Sequence, residues 1–160
     1  KKNWLPIPLK SNIIGNRFWK TLIMICQPWQ NPTRDISGTA VLYKNLYDRV
    51  LEYFAESKPY LDPNLTINEV AAVVFSNRLY ISKAISQFTG RNFCQFVNYH
   101  RIMYSVECFR SNIDLKVAEL WPMSGFNSIV SYNMAFRLFM GENPSDWCRK
   151  EKIRLYRKSK

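Results

Sequence analysis

Beyond residue 40, apolar residues recur at helical spacing along most of the chain. Leu42, Leu46, Val50 and Phe54 fall at every fourth position, with Lys44, Asp48, Arg49, Glu52 and Glu56 between them. That spacing predicts an amphipathic helix ending before Pro59. Thr66-Ile67-Asn68-Glu69 matches a capping box, and the short helix behind it presents Ile67, Val70, Ala71 and Val74. Phe75-Ser76 breaks the pattern, and Asn77 is suited to cap a helix from about Arg78 to Phe88. Ile81, Ala84, Ile85 and Phe88 mark its inner face, Arg78, Leu79, Ser82, Lys83 and Ser86 its outer face, and Gly90 its end. A longer helix, about Asn92 to Arg110, carries Phe93, Phe96, Val97, Ile102, Val106 and Phe109. Another short helix starts near Asp114 with Val117, Leu120 and Trp121. A tight turn at Gly125 leads to a helix with Tyr132 and Phe136 inward, which Gly141 stops before Asn143-Pro144 opens the last one.

The pattern occurs twice. Gly90 and Gly141 lie 51 positions apart, as do Ile81 and Tyr132, Ile85 and Phe136, Phe75 and Phe126, and Phe96 and Trp147. Upstream of the turn the better offset is 50, pairing Ile67 with Val117 and Val70 with Leu120, so the second turn is one residue longer. Two short helices joined by a tight turn make a helix-turn-helix. The expected fold is therefore all-α, with two helix-turn-helix (homeodomain-like) subdomains joined by a long linker helix. The first unit is expected at about 60–91, the linker helix at 92–110 and the second unit at 112–150, within a domain of 41–155. Residues 1–40 read as a linker or the stub of a missing upstream sensor region. Prolines mark both ends of that stretch, and Ile13 to Cys26 offers a short helix too charged to span a bilayer. The chain starts at Lys1 without an initiating Met, which suggests a fragment or a processed form.

Charge adds a partner class. The net charge is +11, from 23 Lys and Arg against 12 Asp and Glu, which favours a polyanion: nucleic acid or an acidic membrane. The surplus is uneven, at +4 over residues 76–110, −2 over 111–148 and +6 over 149–160. The four cysteines (Cys26, Cys94, Cys108, Cys148) are scattered and there is one histidine, so neither a zinc site nor a dense disulfide framework is indicated. No phosphate-cradling Gly loop, carboxylate pair or nucleophile–base set appears, and a methyl-accepting repair activity would need clustered cysteines. No enzyme activity, cofactor or metal is expected.

Gly125, Phe126, Ser128, Tyr132, Phe136, Gly141 and Pro144, with Arg149 beyond, are similar to the AraC/XylS signature of the second helix-turn-helix. The first unit matches through Tyr80-Ile81-Ser82-Lys83, Gly90 and Arg101. The resemblance covers about residues 42–150. It implies the C-terminal domain of a bacterial transcription regulator that binds double-stranded promoter DNA sequence-specifically. Each second helix would enter a major groove, with the linker helix setting the two about 34 Å apart, roughly one turn of DNA. RNA polymerase and a second copy of the chain are the protein partners it allows for. The implied location is the cytoplasm, at the nucleoid, with membrane association only through a missing upstream region.

Exposed residues near the start of a recognition helix meet base edges, while nearby basic and hydroxyl groups take phosphates. In the first unit this points to Asn77, Arg78, Leu79, Ser82 and Lys83, with Arg78 on a base edge and Lys83 on phosphate. Tyr80 is either a backbone contact or a half-buried structural residue. In the second unit it points to Ser128, Ile129, Val130, Ser131, Asn133 and Arg137, and Asn127 also reads as outward. Asn133 suits adenine, Ile129 or Val130 a thymine methyl, and Arg137 a phosphate. The bland alternative for any one of them is a solvated helix face. Arg101 reads as half of an internal salt bridge with Glu69 or Glu119, and His100 as a surface residue of the linker helix.

Against the family pattern, Trp121-Pro122 replaces a small residue and a helix former, and Met134 stands where Arg or Lys is common. The second unit is therefore expected to hold DNA less firmly by itself. The first unit and the basic tail (Arg149, Lys150, Lys152, Arg154, Arg157, Lys158, Lys160) would then supply most phosphate attraction, unless the tail is a frayed terminus. The competing class is a helix-turn-helix protein-interaction module that has lost independent DNA reading.

Overall fold

A computed structural model of the chain describes residues 38–158. The helix expected at Ile13–Cys26 and almost all of the 1–40 region lie outside them. Among the described residues seven α-helices follow one another: α1 (Gly38–Ser57), α2 (Ile67–Val73), α3 (Arg78–Thr89), α4 (Phe93–Ser111), α5 (Val117–Met123), α6 (Ile129–Met140) and α7 (Pro144–Lys158). A 3-10 turn at Pro59–Leu61 separates α1 from α2, and no strand occurs among the described residues. The all-α expectation agrees with this. The residues form two compact units, one of 38–58 with Thr66–Phe93 and one of Pro59–Leu65 with Cys94 onward.

In the first unit α1 and α2 both pack on α3. Leu46, Val50 and Phe54 are buried as the four-residue spacing predicts, together with Tyr47, whose ring stacks on Phe88 at 5.2 Å. Leu42, the first member of the stripe, is exposed, so the buried face starts one turn later. Val70, Ala71, Val74, Ile81, Ala84 and Ile85 complete the core. Thr66 Oγ1 accepts from the Glu69 amide while Glu69 Oε2 accepts from the Thr66 amide at 2.7 Å, closing the expected box. At the other end of α2 the Arg49 guanidinium donates to the Val74 carbonyl, satisfying an acceptor that the helix leaves open.

The second unit is built on aromatics. Phe126, Tyr132, Phe136, Trp147 and Phe109 follow one another with ring centroids 5.3–5.8 Å apart, mostly edge to face. Ile102, Val106, Leu120 and Ala135 fill in around them. Ser105 Oγ and the Tyr132 hydroxyl lie 2.7 Å apart in this core, each satisfying the other. Trp121 is half-buried against the edge of the core, and Pro122 sits exposed in the last turn of α5. Room has thus been made for the bulky pair.

Arg101 corrects the sequence reading. It is buried, but its Nε donates to the Tyr60 carbonyl at 2.6 Å and its NH2 to the Asp62 carbonyl at 2.8 Å, with Phe126 facing the guanidinium at 5.5 Å. The two glutamates proposed as its partners are occupied: Glu69 caps α2, and Glu119 accepts from the Lys116 amide at 2.7 Å. Burial pulls the Arg101 pKa down and the nearby Asp62 charge partly offsets this. His100 is half-buried, stacked on Tyr60 and edge-on to Phe96, so it belongs to the core rather than the surface.

The tail is ordered too. It forms α7 through Lys158, with Pro144 at the first helical position, where a missing amide donor costs nothing. Its cations find internal acids: Arg149 with Asp146, Lys150 with Glu142, Lys152 with Asp114, and Arg154 with Glu151. The expected source of most phosphate attraction is thus already in ion pairs within the unit, and of its other cations only Arg157 has a described side chain.

Candidate nucleic-acid interface

Both turns end the preceding helix with the same hydrogen bonds. In the first unit the Ser76 amide donates to the Ala71 carbonyl and the Phe75 amide to Ala72. In the second the Phe126 amide donates to Trp121 and the Gly125 amide to Pro122. These are two Schellman closures, each with its pivot residue in the left-handed region: Phe75 at φ 48° and Gly125 at φ 78°. Phe75 therefore corresponds to Gly125 and Ser76 to Phe126, which corrects the pairing of Phe75 with Phe126. The burial agrees, because Phe126 lies in the core while Phe75 is 90% exposed. Asn127 is the inserted residue. Its side chain donates to the Pro63 carbonyl at 3.3 Å, so it pins the turn instead of facing freely outward.

From there the units run in step again. Asn77 Oδ1 accepts from the amides of Leu79 and Tyr80, both at 3.0 Å, and Ser128 Oγ accepts from the Ser131 amide at 3.2 Å. Each cap opens a 12-residue helix, α3 or α6, that closes on a left-handed glycine, Gly90 or Gly141. The caps fix equivalent positions: Arg78 with Ile129, Leu79 with Val130, Ser82 with Asn133, Lys83 with Met134 and Ser86 with Arg137.

On α3, Ile81, Ala84 and Ile85 point into the core and Arg78, Leu79, Ser82 and Lys83 are exposed together, as the sequence predicts. The oxygen of Asn77 is committed to the cap, so any contact of its side chain with a ligand falls to the amino group. Tyr80 is exposed at its rim and edge-on to Tyr43 at 6.1 Å, which gives it a packing role as well.

On α6, Tyr132, Ala135 and Phe136 are buried, and Ile129, Val130, Ser131 and Arg137 are exposed with Asn133 half-exposed. Ser128 is the cap, and its hydroxyl also donates to Ser131 Oγ at 3.0 Å, so these two hydroxyls hold each other. Arg137 reaches Asn143 Oδ1 at 3.4 Å. The sequence reading left two residues out of the candidate face. Met134 and Leu138 are exposed beside Val130, and with Ile129 they make a surface of large apolar side chains 43–63% exposed. The i, i+4, i+8 spacing of Val130, Met134 and Leu138 was the available signal. Among the described residues no group of three or more His, Cys, Asp or Glu could hold a metal ion.

The geometry can be set beside known proteins. No protein-family model matches the sequence. The chain is 28% identical over 119 residues to YesN of Bacillus subtilis (strain 168), an uncharacterized transcriptional regulatory protein. That match takes in 73% of this chain and 30% of YesN, so the chain spans less than a third of the relative's length. Among solved structures it is similar to the C-terminal domain of AraT, a response regulator from Geobacillus stearothermophilus. The TM-score is 0.53 at 20% identity, over 73% of this chain and 88% of that one. The fold is that of this C-terminal domain. The residues that carry the resemblance, Gly125, Phe126, Tyr132, Phe136 and Gly141, build turn and core, not the outward face. They account for the fold and leave the exposed residues of α3 and α6 free of core packing.

Proposed function

We propose that the chain is the DNA-binding output domain of a transcription regulator, reading promoter DNA sequence-specifically through α3 and α6. The observation that carries the reading is a helix built twice on the same plan, capped by a side chain at its start and by glycine at its end. In each copy the outward residues near the start are left over from core packing. On α3 those residues include Arg78 and Lys83, and the whole chain carries +11. In this reading Arg78 meets a guanine edge and Lys83 a phosphate. No enzymatic step belongs to this reading.

A binding assay on promoter fragments across a salt series tests it. A specific complex should weaken with a slope of about −0.9 in log affinity per phosphate contact. Arg78→Ala should relax the preference at one base pair by roughly 1–3 kcal/mol. Equal affinity for promoter and random duplex would refute the proposal. A second reading draws on the apolar surface of α6: an interaction module that docks a protein such as RNA polymerase or a sensor subunit. Crosslinks from that surface to protein, with DNA leaving it unprotected, would favour it.

A further inference from the structure

The outward face of α6 is the one surface of the two recognition helices that charge does not explain. At the positions where α3 exposes Arg78 and Lys83, α6 exposes Ile129 and Met134, with Val130 and Leu138 alongside. None of the four is a core residue. Val130, Met134 and Leu138 lie across the helix from Tyr132, Ala135 and Phe136, which supply its buried side, and Ile129 lies at the border of the two faces. We propose that α6 reads thymine through its C5-methyl group, packing Ile129, Val130 and Met134 against methyls in the major groove, while α3 reads its half-site by hydrogen bonds. The inference rests on the DNA-binding reading above and gives each helix a different chemical language.

The groove offers an apolar side chain one favourable partner, the thymine methyl. Over a G·C pair the same side chain strips water from donors and acceptors without replacing their hydrogen bonds, so a wrong base is penalised as well as unrewarded. Asn133 lies on the same face, half-exposed, and its carboxamide complements the donor and acceptor of adenine. The residues around the apolar stripe therefore suit the two bases of one A·T pair. Electrostatics agree. Arg137 is the only charged side chain on α6, so nothing on the helix repels a phosphate backbone. A protein partner fits less well. Stable interfaces bury about 800 Å² on each side around an uncharged centre, and here four side chains of one helix share their face with an arginine.

The test uses the whole chain and a duplex selected from a random library. Arg78→Ala identifies the half-site of α3, and the remaining half-site is assigned to α6. Each thymine there is replaced in turn by deoxyuridine, which removes the methyl and leaves every hydrogen-bonding group in place. The expected result is about a fourfold loss of affinity at each contacted position, the value of one buried methyl group, with no loss at thymines outside the site. Met134→Lys should lose its share of the uracil effect and gain salt dependence. Specific binding that ignores uracil throughout the α6 half-site overturns the inference and leaves the DNA-binding reading standing. Absence of any specific complex removes both. Unchanged DNA affinity in Val130→Ala and Met134→Ala, with loss of a crosslink to RNA polymerase, overturns it in favour of protein docking.

Discussion

In the first unit the turn pivots on Phe75, a bulky residue held at positive φ with its ring in solvent. In the second the same backbone position is Gly125, where an added Cβ would come within 2.6 Å of the Tyr60 carbonyl oxygen and 2.7 Å of that of Leu61. One turn is thus strained and open, the other relaxed and closely covered. The contrast extends to the cores. At equivalent positions the first unit has Ile81, which needs no polar partner, and the second has Tyr132, whose hydroxyl requires Ser105. A shared backbone plan leaves each copy free in its side chains, provided that the caps and left-handed pivots are kept. Stability is more sharply specified in the second copy, and the charged outward face belongs to the first.

The largest expected effect concerns that cover. Gly125→Ala should cost about 3 kcal/mol, combining left-handed strain with an overlap against backbone that cannot swing away. Gly90→Ala and Gly141→Ala, where nothing lies within 4 Å of the new Cβ, should cost only about 1–2 kcal/mol. Urea midpoints of the three variants check the order, and equal losses would show that contact at Gly125 is irrelevant.

Next comes alkaline pH, which should act on the second unit. Burial pushes the Cys148 thiol up to about 11, with the Glu151 charge adding to it, and the Tyr60 hydroxyl up to about 12. Tyr132 is raised too, chiefly by burial. These groups are neutral when protonated, so raised folded values mean full stability below the unfolded values, about 9 for the thiol and 10 for the phenols. Stability then falls as pH rises through that window toward the folded values. Unfolding free energy should drop by on the order of 2 kcal/mol between pH 8 and 11 through Cys148, and Cys148→Ala should remove that part of the slope.

Smaller effects separate the caps and the pivots. Asn77→Ala and Ser128→Ala should each cost about 1 kcal/mol, with the loss at Asn77 the greater because its oxygen serves two amides. Phe75→Gly should stabilise by about 0.5 kcal/mol, as relief of the left-handed strain outweighs the added freedom of the unfolded chain. A loss on that change would mean that the exposed ring contributes to the fold after all.

Much of this architecture could be read from the chain because caps, glycines and periodic apolar positions report on the backbone locally. Thr66, Asn77, Gly90 and Gly141 all act where the sequence puts them, whereas the cap at Ser128 was not foreseen. What escaped depends on distant groups. Arg101 is held by main-chain carbonyls, which carry no side-chain signature, so a glutamate was the natural partner to name. The acids that neutralise α7 lie as far as 38 residues away, at Asp114. Phe75 was paired with Phe126 on residue type alone, and nothing local announces a left-handed, solvent-facing phenylalanine. On the candidate face, α3 was legible through its charges and α6 through Ile129 and Val130, whereas the exposure of Leu138 was not foreseen.

The short passage Pro59–Leu65 has a consequence for how the protein can be cut. It lies in sequence between α1 and α2, yet belongs with the unit that begins at Cys94. Arg101 and Gly125 both depend on its carbonyl groups. A fragment starting at Cys94 would carry both signature glycines of the second helix-turn-helix and still leave a buried guanidinium without acceptors. The second unit therefore cannot be excised whole by a single cut at Cys94.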